Sequence, residues 1–304
     1  MSSTLTLILN NNNLIGTNNN TYQYNFLNGC FNIKEDSSIC ISQITIPYSW
    51  YNINSGLYNN NSFQYTFSGS TFTFTLSDGF YGISDISQAL QNYMISQNQY
   101  LINTSTGIYQ YFIILASNTT YYANQILTFP IPSSLPTGYT APSGFVYSSG
   151  GYTPQIIITS NNFGKLIGFS SGTYPSTLQS SSFNVLSNIT PNASPVNSLI
   201  VRCNLVCNEA TMPSDILDSF NINATFGSQI TYTPSYEKWV SIKPGTYNNF
   251  IITFQDQNFG IVQINDPNIL IALMIKQGKK KIIPPYHNIV KQINRLKFSD
   301  DDEE

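Results

Sequence analysis

Histidine, cysteine and carboxylate side chains do most of the chemistry available to a protein, and here they are few. The only histidine among 304 residues is His287, so a histidine-based triad or a multi-histidine metal centre cannot be built within one chain. Before the C-terminal tail the carboxylates are Glu35, Asp36, Asp78, Asp85, Glu209, Asp215, Asp218, Glu237, Asp256 and Asp266. A glycosidase on a jelly roll, a third reading, would need two of them facing one cleft, about 5–9.5 Å apart. The cysteines are Cys30, Cys40, Cys203 and Cys207. The last two, four residues apart, share one face if they lie on a strand. Zinc sites ordinarily use tighter, repeated pairs, so the expectation is reduced, unmetallated thiols. Asp256-Gln257-Asn258 before Gly260 reads as a hairpin turn and lacks the further carboxylates a calcium loop needs. The sequence therefore offers no catalytic, cofactor-binding or metal-binding residue, and an enzyme is not expected.

The elements that would position any site follow from composition. Charged residues are 9% and aromatics 14%, with 21 Tyr and 19 Phe, and asparagine is about 12%. Disordered chains have few aromatics and a high net charge, whereas the net charge here is −3. Exposed helices draw on Glu, Lys, Arg and Ala. The abundant Thr, Tyr, Phe and Ile favour strands, and Asn, Ser, Gly and Pro favour turns. The class is therefore all-β. The best apolar run, Ile269–Ile275, is far below the roughly 20 residues of a membrane span. Met1–Leu9 has no basic region and too short an apolar stretch for a secretory leader.

Along the chain, TLTLIL (4–9) reads as a short arm or edge strand before an Asn-rich linker. YQYNFL (22–27), the long segment 38–51, and FQYTF (63–67) with TFTFTL (71–76) around Ser68-Gly69-Ser70 read as strands, the last two as a hairpin. Ile86, Leu90, Tyr93 and Met94 then fall on one helical face, with Ser84 as N-cap and Asp85 in the first turn. Residues 78–198 are loop-rich, with strands at 108–116 and 155–159 and a helical turn at 161–169. From 199 to 275 the chain is strand-rich again. This predicts a single jelly-roll β-sandwich from 22–77 and 199–275, an inserted upper domain at 78–198 containing one helix, an N-terminal arm at 1–21 and a tail at 276–304.

The tail is electrostatically distinct. Seven of the twelve cations are Lys276, Lys279, Lys280, Lys281, Lys291, Arg295 and Lys297, and five acids close the chain at Asp300–Glu304. These seven are the candidate contacts to a partner surface, either acidic neighbouring proteins or nucleic acid.

Four stretches resemble the penton proteins of virophages and polinton-like viruses: Ile46-Pro47-Tyr48-Ser49-Trp50-Tyr51-Asn52-Ile53, Asp78–Met94, Phe163–Phe169, and the C-terminal stretch with Trp239, Gly245, Tyr247, Asn248 and Asp266–Ile271. The resemblance implies a vertical single jelly roll that forms homopentamers at icosahedral five-fold vertices, and an inserted upper domain. Its implied partners are a double jelly-roll major capsid protein, minor capsid proteins and a possible host surface receptor, in a virion assembled in the host cytoplasm, with no membrane contact. The strand count suits one roll plus an insertion and is too low for a double roll. A competing reading is a receptor-binding fibre or lectin-like adhesin on a β-sandwich.

Overall fold

Alternating Thr, Tyr, Phe and Ile segments become the eight long strands of one sandwich in the computed structural model, which describes residues 4–159 and 162–278. These are Thr4–Asn10 (β1), Thr21–Asn25 (β2), Ser38–Pro47 (β3), Ser198–Cys203 (β4), Ile216–Asn221 (β5), Gln229–Tyr232 (β6), Asn249–Asp256 (β7) and Leu270–Lys276 (β8). They pair antiparallel in nested fashion: first with last, β2 with β7, β3 with β6, β4 with β5. β8 also pairs with β3, and β7 with β4. The result is two sheets, ordered β1-β8-β3-β6 and β5-β4-β7-β2. A long hairpin wrapped into two facing sheets in this order is a single jelly roll.

Period-two burial shows where its core lies. Leu7 and Leu9, Ile271, Leu273 and Ile275 are buried from one sheet, and Leu199, Val201, Phe250, Ile252 and Phe254 from the other. Each such side chain contributes about 1.5–3 kcal/mol on leaving water. β3 keeps its phase by a bulge. Ala272 pairs with Gln43 and Leu273 with Ile41, so Ser42 is the extra residue. Ile39 and Ile41 before it, and Ile44 and Ile46 after it, are all buried.

Two sequence expectations are corrected here. Residues 4–10 are not part of an arm: β1 is paired with β8 over its seven residues, from Thr4↔Lys276 to Asn10↔Leu270. The asparagines after it make a corner instead of a linker. The Asn10 main-chain N–H donates to Asn13 Oδ1, Asn12 N–H donates to Asn10 Oδ1, and Asn13 Nδ2 donates to the Gln23 carbonyl. The hairpin Ser62–Phe67/Ser70–Thr75 is likewise not part of the roll. Its first strand pairs with Ile156–Ile158, and the chain divides compactly into residues up to Tyr48 with those from Ser198 onward, and Ser49–Asn197. A hairpin's local signal does not say which distant strand it joins, so the insertion begins about thirty residues earlier than expected.

The Ser49–Asn197 unit has its own core, in which Phe63, Tyr65, Phe67, Phe112, Phe163 and Phe169 are buried with Ile86, Leu90 and Met94 of the helix Ile83–Ser96 (α1). The N-cap of α1 is Gly82, not Ser84, and Asp85 accepts the Gly82 main-chain N–H at 2.8 Å. A short second helix spans Phe163–Ile167 (α2). Its Gly164 is packed so closely that a Cβ there would collide with the Phe169 carbonyl oxygen. Asn52 is the unit's central staple: its amide donates to the carbonyls of Tyr81 and Ala193 and accepts the Tyr81 N–H, each at 2.8 Å.

The four cysteines are free. Cys40 and Cys203 are buried, and Cys30 is exposed. Burial, followed by the charge of Glu237, pushes the Cys40 thiol up to about 11. Burial pushes Cys203 up to about 12. Raised values mean little thiolate at pH 8. With a maleimide at pH 8, Cys30 is expected to label rapidly, and Cys40 and Cys203 only after denaturation. Rapid labelling of Cys203 in the folded chain, followed by peptide mass spectrometry, would contradict this packing.

Candidate functional site

Several charged side chains among the described residues are committed to structure. Arg202 holds Asp215 through two nitrogens, Nε to Oδ1 at 3.0 Å and Nη2 to Oδ2 at 2.7 Å, and its Nη1 donates to Gln255. Asp218 accepts from Tyr232 Oη at 2.6 Å and from Lys238 Nζ at 2.9 Å. This hydrogen bond pushes Lys238 up to about 12. Asp256 Oδ1 receives the N–H groups of Asn258 and Gly260, so this carboxylate closes a turn, as the sequence suggested. Among the described residues no group of three or more His, Cys, Asp or Glu side chains gathers as a metal site. His287 lies outside the described residues. An apolar cleft of about 280 Å³ in the insertion, walled by Ile83, Ile86, Leu166 and Ile167 with Tyr122 beside them, has no Asp, Glu, Lys, Arg or Cys in its lining.

Of the seven candidate tail contacts, the described residues include only Lys276. It is the last residue of β8, paired with Thr4 and Ser38, so the strand runs one residue further than expected. Its ammonium sits 5.6 Å over the Trp239 ring, whose Nε1 donates to Glu237. The chain then leaves past Ser37, whose Oγ accepts the Gly278 N–H at 2.9 Å. Lys279, Lys280, Lys281, Lys291, Arg295 and Lys297 lie outside the described residues. Lys276 thus marks the point from which any tail contact would start.

The feature that the sequence reading missed is the pair of outer faces of the roll. On the β1-β8-β3-β6 sheet the outward positions are Thr4, Thr6, Ile8 and Asn10, Leu270, Ala272 and Met274, Gln43 and Thr45, and Gln229 and Thr231, with Lys276 at one end. Ile8 is 56% and Leu270 41% exposed. A depression of about 410 Å³ lined by Asn10, Asn11, Asn12, Thr45, Gln229 and Leu270 indents this face. On the opposite sheet the outward positions are Thr21, Gln23 and Asn25, Asn249, Ile251, Thr253 and Gln255, and Ile200, Arg202 and Ser219. The one charge there, Arg202, is neutralised by Asp215. Both faces are therefore broad, hydroxyl- and amide-rich, and without net charge apart from the Lys276 end. Alternation within each strand contained this signal, but it needs the register to tell outside from inside.

Among the described residues no helix is long and apolar enough to cross a membrane. No family model matches the chain, and no curated protein does. Solved structures do. One is a chain of the Sputnik virophage particle, 10% identical, covering 90% of this chain and 97% of that one with a TM-score of 0.34. Another is the mavirus penton protein, 9% identical, covering 91% of this chain and 99% of that one with a TM-score of 0.41. The molecule is an all-β single jelly roll with an insertion between its third and fourth strands, similar over nine-tenths of its length to the mavirus penton protein.

Proposed function

We propose that the chain is a non-enzymatic structural capsid protein whose homopentamers occupy the five-fold vertices of an icosahedral virion. The observation that carries this reading is the pair of broad amide- and hydroxyl-rich faces on opposite sides of one sandwich, without net charge apart from Lys276 at one end. A cyclic ring of identical subunits uses a heterologous contact, in which each subunit offers two different patches to its two neighbours. The core of a protein interface is depleted in charge, because an ion taken out of water costs several kcal/mol unless well paired. Thr, Asn, Gln and Ile lose far less. The sequence resemblance to penton proteins supplies the five-fold ring and the vertex. The adhesin or fibre reading differs in symmetry, three-fold instead of five-fold.

Negative-stain electron microscopy of the purified chain tests the ring, with five-fold class averages expected. A single charge on either face should break it. Thr45→Glu on one sheet and Thr253→Glu on the other are each expected to convert rings to monomers. Such surface changes move stability by only about 0.5 kcal/mol, so the melting temperature should hold. Rings that persist in both variants would refute these faces as the contact.

In this reading the tail after Gly278 engages the neighbouring double jelly-roll major capsid protein, minor capsid proteins or packaged genome, in a particle assembled in the host cytoplasm. Its cations, from Lys279 to Lys297, act together with Lys276 and should weaken with salt. Deleting residues 279–304 is expected to leave pentamers intact and to lower their incorporation into co-expressed capsids, read as band ratios in purified particles. Incorporation at the full-length level would remove the docking role.

A further inference from the structure

On the insertion, Leu101–Asn103 pairs with Tyr109–Gln110 on one side and Tyr139–Thr140 on the other. This small sheet borders an open groove of about 500 Å³ whose lining includes Asn103, Tyr109, Gln110, Tyr111, Phe129 and Tyr139. The Tyr100 ring stacks on Tyr109 at 4.8 Å and 26°, and Tyr111 meets Tyr109 edge-on at 6.4 Å. Tyr109 nonetheless keeps 40% of its surface exposed. Its ring is held by a neighbour and still presented to solvent, so a ligand laid on it orders little that is not already ordered.

Two further observations define the ligand. The hydroxyls of Tyr109, Tyr111 and Tyr139 and the side-chain amide of Gln110 have no hydrogen-bond partner among the described residues. Polar groups that no neighbour uses are available to a ligand. The lining also contains no Asp, Glu, Lys or Arg, so nothing there compensates a phosphate, sulfate, sialic acid or ammonium group. The exposed Tyr109 ring beside uncharged donors and acceptors matches a molecule with an apolar face and a rim of hydroxyls. That is a pyranose: its C–H face covers a tyrosine ring, and its hydroxyls exchange hydrogen bonds with the amide and phenols.

We propose that this groove binds a neutral oligosaccharide. The site belongs to the inserted unit and not to the roll, so it stands or falls separately from ring assembly.

The test uses the fluorescently labelled full chain on an array of neutral glucose, mannose and N-acetylglucosamine oligomers beside sialylated and sulfated glycans. Titration calorimetry with the best neutral oligomer then gives the affinity. Retention of neutral oligomers is expected. Tyr109→Ala and Gln110→Ala are each expected to weaken binding by about tenfold or more, and Tyr109→Phe, which keeps the ring, by much less. Circular-dichroism melts check the variants; if Tyr109→Ala does not fold, Gln110→Ala carries the test. No retention of any neutral oligomer at millimolar concentration would overturn the proposal. So would retention of acidic glycans alone, affinity unchanged in the folded alanine variants, or competition by a peptide with no competition by sugar.

Discussion

A chain lacking residues 1–10 is expected to lose the cooperative unfolding transition of the roll. β1 is one of five strands in its sheet, and it covers the edge of β8 along seven paired residues. Leu7 and Leu9 are 2% and 0% exposed. Emptying two such sites by truncation costs about 2–5 kcal/mol each, against a total stability of about 5–15 kcal/mol. Deletion also uncovers the unpaired edge of β8, with Ile271, Leu273 and Ile275 beside it, which invites aggregation. Leu9→Ala should show a milder form of the same loss, about 2–5 kcal/mol in a urea titration. Had residues 1–21 been an arm, the deletion would leave the melting curve unchanged, and that result would contradict the pairing described.

The second large effect is expected at Phe254. Its ring is fully buried and meets Tyr22 edge-on at 6.2 Å and 84°. Its backbone is tied to Asn20 twice: the Phe254 N–H donates to the Asn20 carbonyl at 2.8 Å, and Asn20 Nδ2 donates to the Phe254 carbonyl at 3.1 Å. These bonds hold the strand in place while the side chain is removed, so the surroundings collapse poorly around the void. Phe254→Ala is expected to cost about 3–5 kcal/mol, a fall on the order of 10 °C in the melting midpoint of a unit this size. Leu27→Ala, at a residue 95% exposed, should change stability by less than about 0.5 kcal/mol. Equal effects from the two substitutions would mean that Phe254 is not a core residue.

Much of the fold was legible because it is local. The Ser68-Gly69 turn appears where the glycine signal put it, with both residues at positive φ. Ile86, Leu90 and Met94 bury the expected face of α1. Nonlocal pairing was not legible. TLTLIL carries the same alternation whether it is a free arm or the first strand of a sheet, and its partner β8 lies some 260 residues away. FQYTF gives no hint that Ile156–Ile158 is its neighbour. The asparagine content pointed to turns, yet its structural use is more specific: Asn52, Asn60, Asn20 and Asn124 reach across the chain to main-chain carbonyls. The candidate assembly faces were hidden for the same reason, since inside and outside positions alternate through a bulge at Ser42 whose existence depends on the partner strand. The basic tail was obvious as composition, and only its root at Lys276 acquires a setting, over Trp239.

The measurement that bears most directly on the account is native mass spectrometry of the purified full-length chain at low micromolar concentration. The account predicts a dominant species of five times the 34.0 kDa chain mass, reduced to single chains by Thr45→Glu or Thr253→Glu. A dominant trimer, or a monomer that stays monomeric when the major capsid protein is added, would contradict it.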